Sequence, residues 1–161
     1  MRKKFKPAAP IVLGMHDAIV SLTGLIAGLT VALADRIVII ISAIIASVTA
    51  GLSMGASCYL AEKTNDNPYA VYAGATTSAA YMTTCVCLIL PFCFFQSTRV
   101  ALWTSFAIAV AVILLCNLCI RNAHKRSFWR HTMEMLVICT VVSVVAFAIG
   151  EVAKHYLQIA V

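Results

Sequence analysis

The chain has 161 residues, of which 62% are hydrophobic and only 11% charged, and its mean hydropathy is +0.96. Soluble domains carry about 25% charged residues, so the composition excludes a soluble fold and indicates an integral membrane protein. The formal net charge of +6 would be compatible with nucleic acid, but the basic residues fall between apolar runs and have a simpler reading as topology signals.

Arg2, Lys3, Lys4 and Lys6 precede an apolar run from Ile11 to Ala34. A basic start followed by Ala32-Leu33-Ala34 imitates a secretory signal with an A-x-A site. The run is longer than the about 7–15 residues of a signal core and contains Asp17, so it reads as a retained first span. The second apolar run, Ile37–Ala61, is separated from the first only by Asp35-Arg36, which predicts a tight helical hairpin. Asn65-Asp66-Asn67-Pro68 then breaks the chain in the manner of a turn. A third run, Tyr69–Phe95, contains Pro91, where a kink is expected near its far end. Gln96-Ser97-Thr98-Arg99 leads to the fourth run, Val100–Ile120, and a basic loop, Arg121–Arg130, leads to the fifth, Thr132–Leu157. Each run reaches the roughly 20 residues that cross a hydrocarbon core of about 30 Å. The expected fold is therefore all-α, a single transmembrane domain of five helices over residues 1–161.

With the N-terminus in the cytoplasm, nine basic residues lie inside (Arg2, Lys3, Lys4, Lys6, Lys63, Arg121, Lys125, Arg126 and Arg130) and three outside (Arg36, Arg99 and Lys154). The positive-inside rule thus places the N-terminus in the cytoplasm and the C-terminus outside. The Arg121–Arg130 loop also suits anionic lipid headgroups. Seven cysteines all fall in apolar runs, where Cys serves as a small packing residue rather than as part of a disulfide framework. Cys116 and Cys119 share a helix face but have no matching Cys or His pair, so packing is their reading too. No Walker, H-E-x-x-H or G-x-S-x-G motif is present, and the polar connections are too short for a nucleotide-binding domain. His16 and Asp17 are sequence neighbours and point to different helix faces, while His124, His131 and His155 lie near interfaces. An enzyme is not expected, and no bound cofactor is implied.

Asp17 carries the functional reading. A charge at mid-bilayer costs at least about 2.5–3.5 kcal/mol, and such residues mark pathways or paired sites. Asp17 lies about seven residues into the first span, roughly 10 Å deep, and Met54 about eight residues before the end of the second, roughly 12 Å deep from the same side. Asp17, Ser21, Gly24 and Gly28 share one side of the first helix, and Ser47, Gly51, Met54 and Cys58 share one side of the second. Gly24/Gly28 and Gly51/Gly55 form G-x-x-x-G seams that allow close helix approach. Asp17 is expected to face such a seam, opposite Met54. Carboxylate oxygen with thioether and thiol sulfur suits Fe²⁺, Mn²⁺ or a similar transition metal over Mg²⁺ and Ca²⁺. A buried carboxylate also takes a proton that a bound cation expels, which is the physical basis of antiport. The structural alternative pairs Asp17 with Lys4 or Lys6. Glu134 enters the fifth span as a further pathway acid or as a partner of Arg130 four residues before it. Glu151, one turn before Lys154 and His155, has a solvated or paired role, with an exit role as its alternative.

At these residues the chain resembles the vacuolar iron transporter family, which includes the yeast-type iron/manganese transporters. The resemblance is carried by Gly14-Met15-His16-Asp17-Ala18-Ile19-Val20, by Ala27-Gly28-Leu29, and by Ala50 through Lys63, where Ser53-Met54-Gly55-Ala56 leads into Tyr59-Leu60. It implies a five-span homodimer that exports cytosolic Fe²⁺ or Mn²⁺ in exchange for protons, with Asp17 and Met54 on the translocation path. Two departures stand out. The family's Gly-Glu before Tyr-Leu is Ser57-Cys58 here, a thiol in place of a carboxylate, which makes Cys58 a candidate second sulfur ligand. The helical metal-binding module that plant and yeast members place between spans two and three has no room between Glu62 and Pro68. The chain thus resembles a shorter prokaryotic branch, expected in a plasma membrane. An odd number of spans contains no internal inverted repeat, so a homodimer would supply the symmetry around a pathway. The rival expectation is a non-transporting accessory or assembly protein whose glycine seams bind a partner helix.

Overall fold

The computed structural model describes residues 8–33, 35–123 and 128–156. Arg2, Lys3, Lys4, Lys6, His124, Lys125 and Arg126 lie outside them, as do the side chains of Cys119, Arg121, Arg130 and His131. The proposed pairing of Asp17 with Lys4 or Lys6 therefore falls on residues that are not described, as does that of Glu134 with Arg130. Five helices follow in order: α1 (Ala8–Ala32), α2 (Arg36–Thr64), α3 (Ala70–Phe94), α4 (Thr98–Ala123) and α5 (Phe128–Tyr156). All five are long and apolar enough to cross a membrane.

Local chemistry explains the boundaries. Pro10 sits in the first turn of α1, where its missing N–H is not needed. Asp35 has a structural role: its side chain caps α2, accepting from the N–H groups of Ile37 at 2.8 Å and Val38 at 3.2 Å. After α2 the chain turns through Asp66, whose φ of 50° lies in the left-handed region that Asp tolerates. Asn67 fixes this turn by donating to the Glu62 carboxylate and accepting from the N–H of Tyr69. Pro91 lies inside the last turn of α3, and the helix continues to Phe94.

The expected ten-residue loop from Arg121 to Arg130 is corrected by the structure. The α4 helix runs on to Ala123 and α5 already begins at Phe128. Hydropathy marks where a span leaves the apolar layer, whereas Arg and Asn beyond it continue the backbone hydrogen-bond ladder into the interface.

The expected α1–α2 hairpin is present, but the most extensive packing lies elsewhere. The α1 helix lies at the centre, packed extensively on α3 and α5 and touching α2 and α4 less; α2 packs chiefly on α3. The two glycine seams therefore do not face one another. An ideal Cβ on Gly28 would lie 2.9 Å from the carbonyl oxygen of Ala146, and one on Gly150 would lie 2.5 Å from that of Gly28, so the Gly24/Gly28 seam closes on α5. An ideal Cβ on Gly55 would lie 2.8 Å from Cβ of Ser78, and one on Gly74 2.6 Å from the Gly55 carbonyl oxygen, so the Gly51/Gly55 seam closes on α3. Both seams are filled by the chain's own helices, which removes the small-residue faces that the accessory-protein reading needed.

Ile19, Ile26, Ile39, Leu88, Phe92 and Ile113 form the fully buried centre. Ile37, Ile41, Ile44, Ile45, Val48 and Leu52 of α2 are exposed, as suits a lipid-facing surface. Buried polar groups are mostly satisfied within the bundle. Asn117 donates to Thr132 at 2.9 Å and ties α4 to α5, and Ser105 donates to the Leu88 carbonyl at 2.8 Å and ties α4 to α3.

Candidate cation site around Asp17

Asp17 and Ser21 are both exposed on α1, whereas Gly24, on the same side of the helix, is buried against α5. One face of α1 is thus sealed in its second half and open one to two turns nearer the N-terminus. The open part carries the carboxylate. Within the single chain it leaves Asp17 uncovered at the depth of a membrane span, an arrangement that costs several kcal/mol unless water, a cation, a proton or a second chain meets it.

Helix registers set what stands at the same level. Gly14 meets Thr77 and Tyr81 of α3, Gly55 meets Ser78, and Gly51 meets Met82. Three residues on from Gly14 along α1, and three on from Thr77 and Tyr81 along α3, Asp17 lies between the levels of Ala80 and Thr84. Along antiparallel α2 that level falls near Gly51, about one turn from Met54. Gly24 meets Val142 and Gly28 meets Ala146, so α1 and α5 run parallel. Eight residues back along each helix, Glu134 is level with His16. These registers put Asp17, Met54 and Glu134 within about one helical turn of one another along the bundle, on three helices, with Met54 half-buried against the core and Glu134 exposed. Cys58 is elsewhere: it is 8% exposed in the α2–α3 contact, where its sulfur lies 3.2 Å from Thr77 Oγ1. Among the described residues, no group of three His, Cys, Asp or Glu side chains converges as a metal centre.

The sequence reading missed Tyr81. Its side chain is 2% exposed, wedged between α1 and α2, with its ring beside Gly51, where an ideal Cβ would lie 3.2 Å from Cδ1. Ser21 Oγ donates to the carbonyl oxygen of Asp17 at 2.7 Å and lies 2.8 Å from the Tyr81 hydroxyl. Ser21 has one hydrogen, already committed to that carbonyl, so the Tyr81 O–H donates to Ser21. Ser21 then keeps one lone pair for the open side of α1, beside the Asp17 carboxylate. Tyr81 interacts in turn with the thiol of Cys85, 1% exposed one turn along α3, and Cys85 with Ser47 of α2. A polar chain thus crosses the bundle from α1 through α3 to α2. The available signal was the hydroxyl-rich stretch Thr76-Thr77-Ser78 through Thr83-Thr84-Cys85 around Tyr81, too polar for a face that only meets lipid.

The open face of α1 presents oxygen groups from Asp17 and Ser21 below the part that α5 seals. The model of the VIT family matches residues 9–71, which span α1, the Asp35 cap, α2 and the turn into α3, and include Asp17, Met54 and Cys58. Among curated proteins no match to the chain is found.

Proposed function

Starting from a chain whose residues 9–71 match the model of the VIT family, we propose that it is a vacuolar iron transporter (VIT) family member that exports Fe²⁺ or Mn²⁺ from the cytosol in exchange for protons. The observation that carries the reading is Asp17, a carboxylate left open on α1 about one turn from the level of Met54. Asp17 is the cation and proton site in this proposal. Ser21 adds a second oxygen, held by Tyr81, and Met54 the thioether. Cys58 and Glu134 flank the path, the thiol nearer the N-terminal end of the bundle and the carboxylate on α5. Fe²⁺ and Mn²⁺ accept such mixed oxygen and sulfur donors, whereas sulfur adds nothing for Mg²⁺ or Ca²⁺. The cation is cargo, so an incomplete and low-affinity ligand set favours release over storage.

A homodimer completes the site. A second copy laid against the open face of α1 covers Asp17 and contributes its own carboxylate, so that one divalent cation balances two charges. When the cation leaves, protons replace it, because two carboxylates close together do not both stay ionised in an apolar layer. The membrane in this reading is a prokaryotic plasma membrane with the N-terminus in the cytoplasm. Only residues 65–69 separate α2 from α3, so capture by a separate cytosolic module forms no part of the mechanism.

The test is transport by the purified chain alone. Liposomes containing the protein and a lumenal metal-quenched dye are expected to take up externally added Fe²⁺ or Mn²⁺ and to ignore Mg²⁺. No uptake of any metal by folded, dimeric protein would return the reading to an accessory protein. Ser21→Ala and Tyr81→Phe are each expected to raise the KM for Mn²⁺ about fivefold, the worth of one hydrogen bond or weak ligand of about 1 kcal/mol. The double variant should lie close to Ser21→Ala alone, because Tyr81 acts through Ser21. Ser21→Thr, whose hydroxyl makes the same bond to the carbonyl four residues back, should stay near wild type.

A further inference from the structure

A second polar site lies at the opposite end of the bundle from the N-terminus. A cavity of about 590 Å³ opens there between the last turns of α1, the first turns of α4 and the last turns of α5. Its lining includes Thr30, Ser97, Arg99, Trp103, Glu151 and Lys154. Arg99 and Lys154 are two of the chain's twelve basic residues, and Glu151 is one of its six acidic ones. All three are exposed, and none makes an ion pair among the described residues, although Glu151 and Lys154 are three residues apart on one helix face. Two cations and a carboxylate thus surround one space and leave their charges unpaired.

Thr30 supplies an independent observation. Thr23, Thr77, Thr84 and Thr104 each donate to the carbonyl four residues back, the usual resort of a threonine in a helix. The hydroxyl oxygen of Thr30 is buried and has no hydrogen-bond partner, while its residue lines the cavity. A buried hydroxyl without a partner costs about 1–3 kcal/mol, and rotation of the Thr30 side chain toward the cavity would let a ligand with acceptor oxygens recover it.

Position identifies the source of that ligand. The cavity lies where three spans end, the level of lipid headgroups. Trp103 is 73% exposed beside it, as aromatic side chains are at the membrane interface. We propose that this cavity binds the headgroup of a phospholipid that joins a phosphodiester to a primary ammonium. Arg99, Lys154 and Ser97 take the phosphate oxygens, Thr30 donates to one of them, and Glu151 takes the ammonium through charge-assisted hydrogen bonds. A glycerol headgroup leaves Glu151 unpaired beside an anion. A choline headgroup offers it no N–H. Trp103 covers the glycerol backbone. The proposal does not depend on which ion, if any, the chain transports.

The test is native mass spectrometry of the full chain in detergent, with phosphatidylethanolamine, phosphatidylglycerol and phosphatidylcholine of one acyl composition at equal concentration. Inorganic phosphate is run in parallel. Wild type is expected to retain phosphatidylethanolamine about tenfold better than either other lipid, the worth of one charge-assisted contact. Glu151→Gln should bind phosphatidylethanolamine and phosphatidylglycerol equally. Arg99→Gln combined with Lys154→Gln should lose all three lipids. Equal retention of the three by wild type, a preference for phosphatidylglycerol, or an undiminished preference in Glu151→Gln overturns the proposal. Binding of inorganic phosphate in competition with the lipid overturns its assignment to a headgroup. The wild-type comparison needs no variant, so the proposal stays falsifiable whatever the substitutions do to folding.

Discussion

Asp17→Asn is expected to lower Fe²⁺ or Mn²⁺ flux at least about 100-fold while leaving the melting temperature of the detergent-solubilised protein unchanged or higher. The loss follows from charge. Removing one partner of a desolvated charge interaction costs about 2–5 kcal/mol, and each 1.4 kcal/mol is a factor of ten. Asn keeps the size and one carbonyl oxygen of Asp but neither the charge nor the exchangeable proton, so both the cation and its counter-ion lose their site. The stability side has the opposite sign. Asp17 is exposed on α1 within a span, and an uncompensated carboxylate there costs at least about 2.5–3.5 kcal/mol. Its removal relieves that cost and breaks no side-chain hydrogen bond among the described residues, because Ser21 donates to the backbone carbonyl of residue 17 and not to its carboxylate. The pair of measurements, flux in liposomes and thermal melting in detergent, separates this account from one in which Asp17 is a structural ion-pair partner. In that case the variant would lose stability along with activity.

Gly14→Val has the largest effect expected on the fold. An ideal Cβ at Gly14 lies 2.3 Å from the carbonyl oxygen of Thr77 and 3.1 Å from the backbone nitrogen of Tyr81. Both are backbone atoms, so no rotamer change relieves the overlap and α1 must move away from α3. Overpacking a tight contact costs about 1–3 kcal/mol, and here it also breaks the Ser21–Tyr81 bond across the same interface. A loss of at least about 3 kcal/mol is expected, seen as a fall in melting temperature or as failure to elute as a single species. Gly24→Ala makes the control. The nearest atom to its Cβ is Cγ1 of Val142 at 3.1 Å, part of a side chain that rotates, so little more than about 1 kcal/mol is expected. If Gly14→Val melts like wild type, the close α1–α3 approach is not present in the membrane protein.

These two residues illustrate what the sequence made legible. Five apolar runs of span length were enough to find five helices, because the length of an apolar layer is a strong constraint and hydropathy reports it directly. The VIT resemblance was legible at Gly14 through Val20 and Ala50 through Lys63, and the match over residues 9–71 covers both. Partners of the seams were not legible. G-x-x-x-G states that a helix permits close approach, not which helix makes it, and the short Asp35-Arg36 connection made α1 and α2 look like mutual neighbours. The close partners are instead α5 for Gly28 and α3 for Gly55. Tyr81 was missed for a related reason. In an apolar run an isolated Tyr reads as packing, and only the Ser21 hydroxyl across the helix pair turns it into a fixed donor. Asp35 looked like a loop residue because a cap is recognised by the backbone N–H groups it satisfies, here those of Ile37 and Val38.

The central claim is coupling, that metal and proton exchange places at Asp17. It is tested most directly with wild-type protein in liposomes that contain a lumenal pH dye and no imposed pH gradient. Addition of external Mn²⁺ should drive the lumen alkaline, as protons leave in exchange for the entering cation, and Mg²⁺ should not. Mn²⁺ uptake with no accompanying pH change would contradict the exchange of metal for proton at this carboxylate.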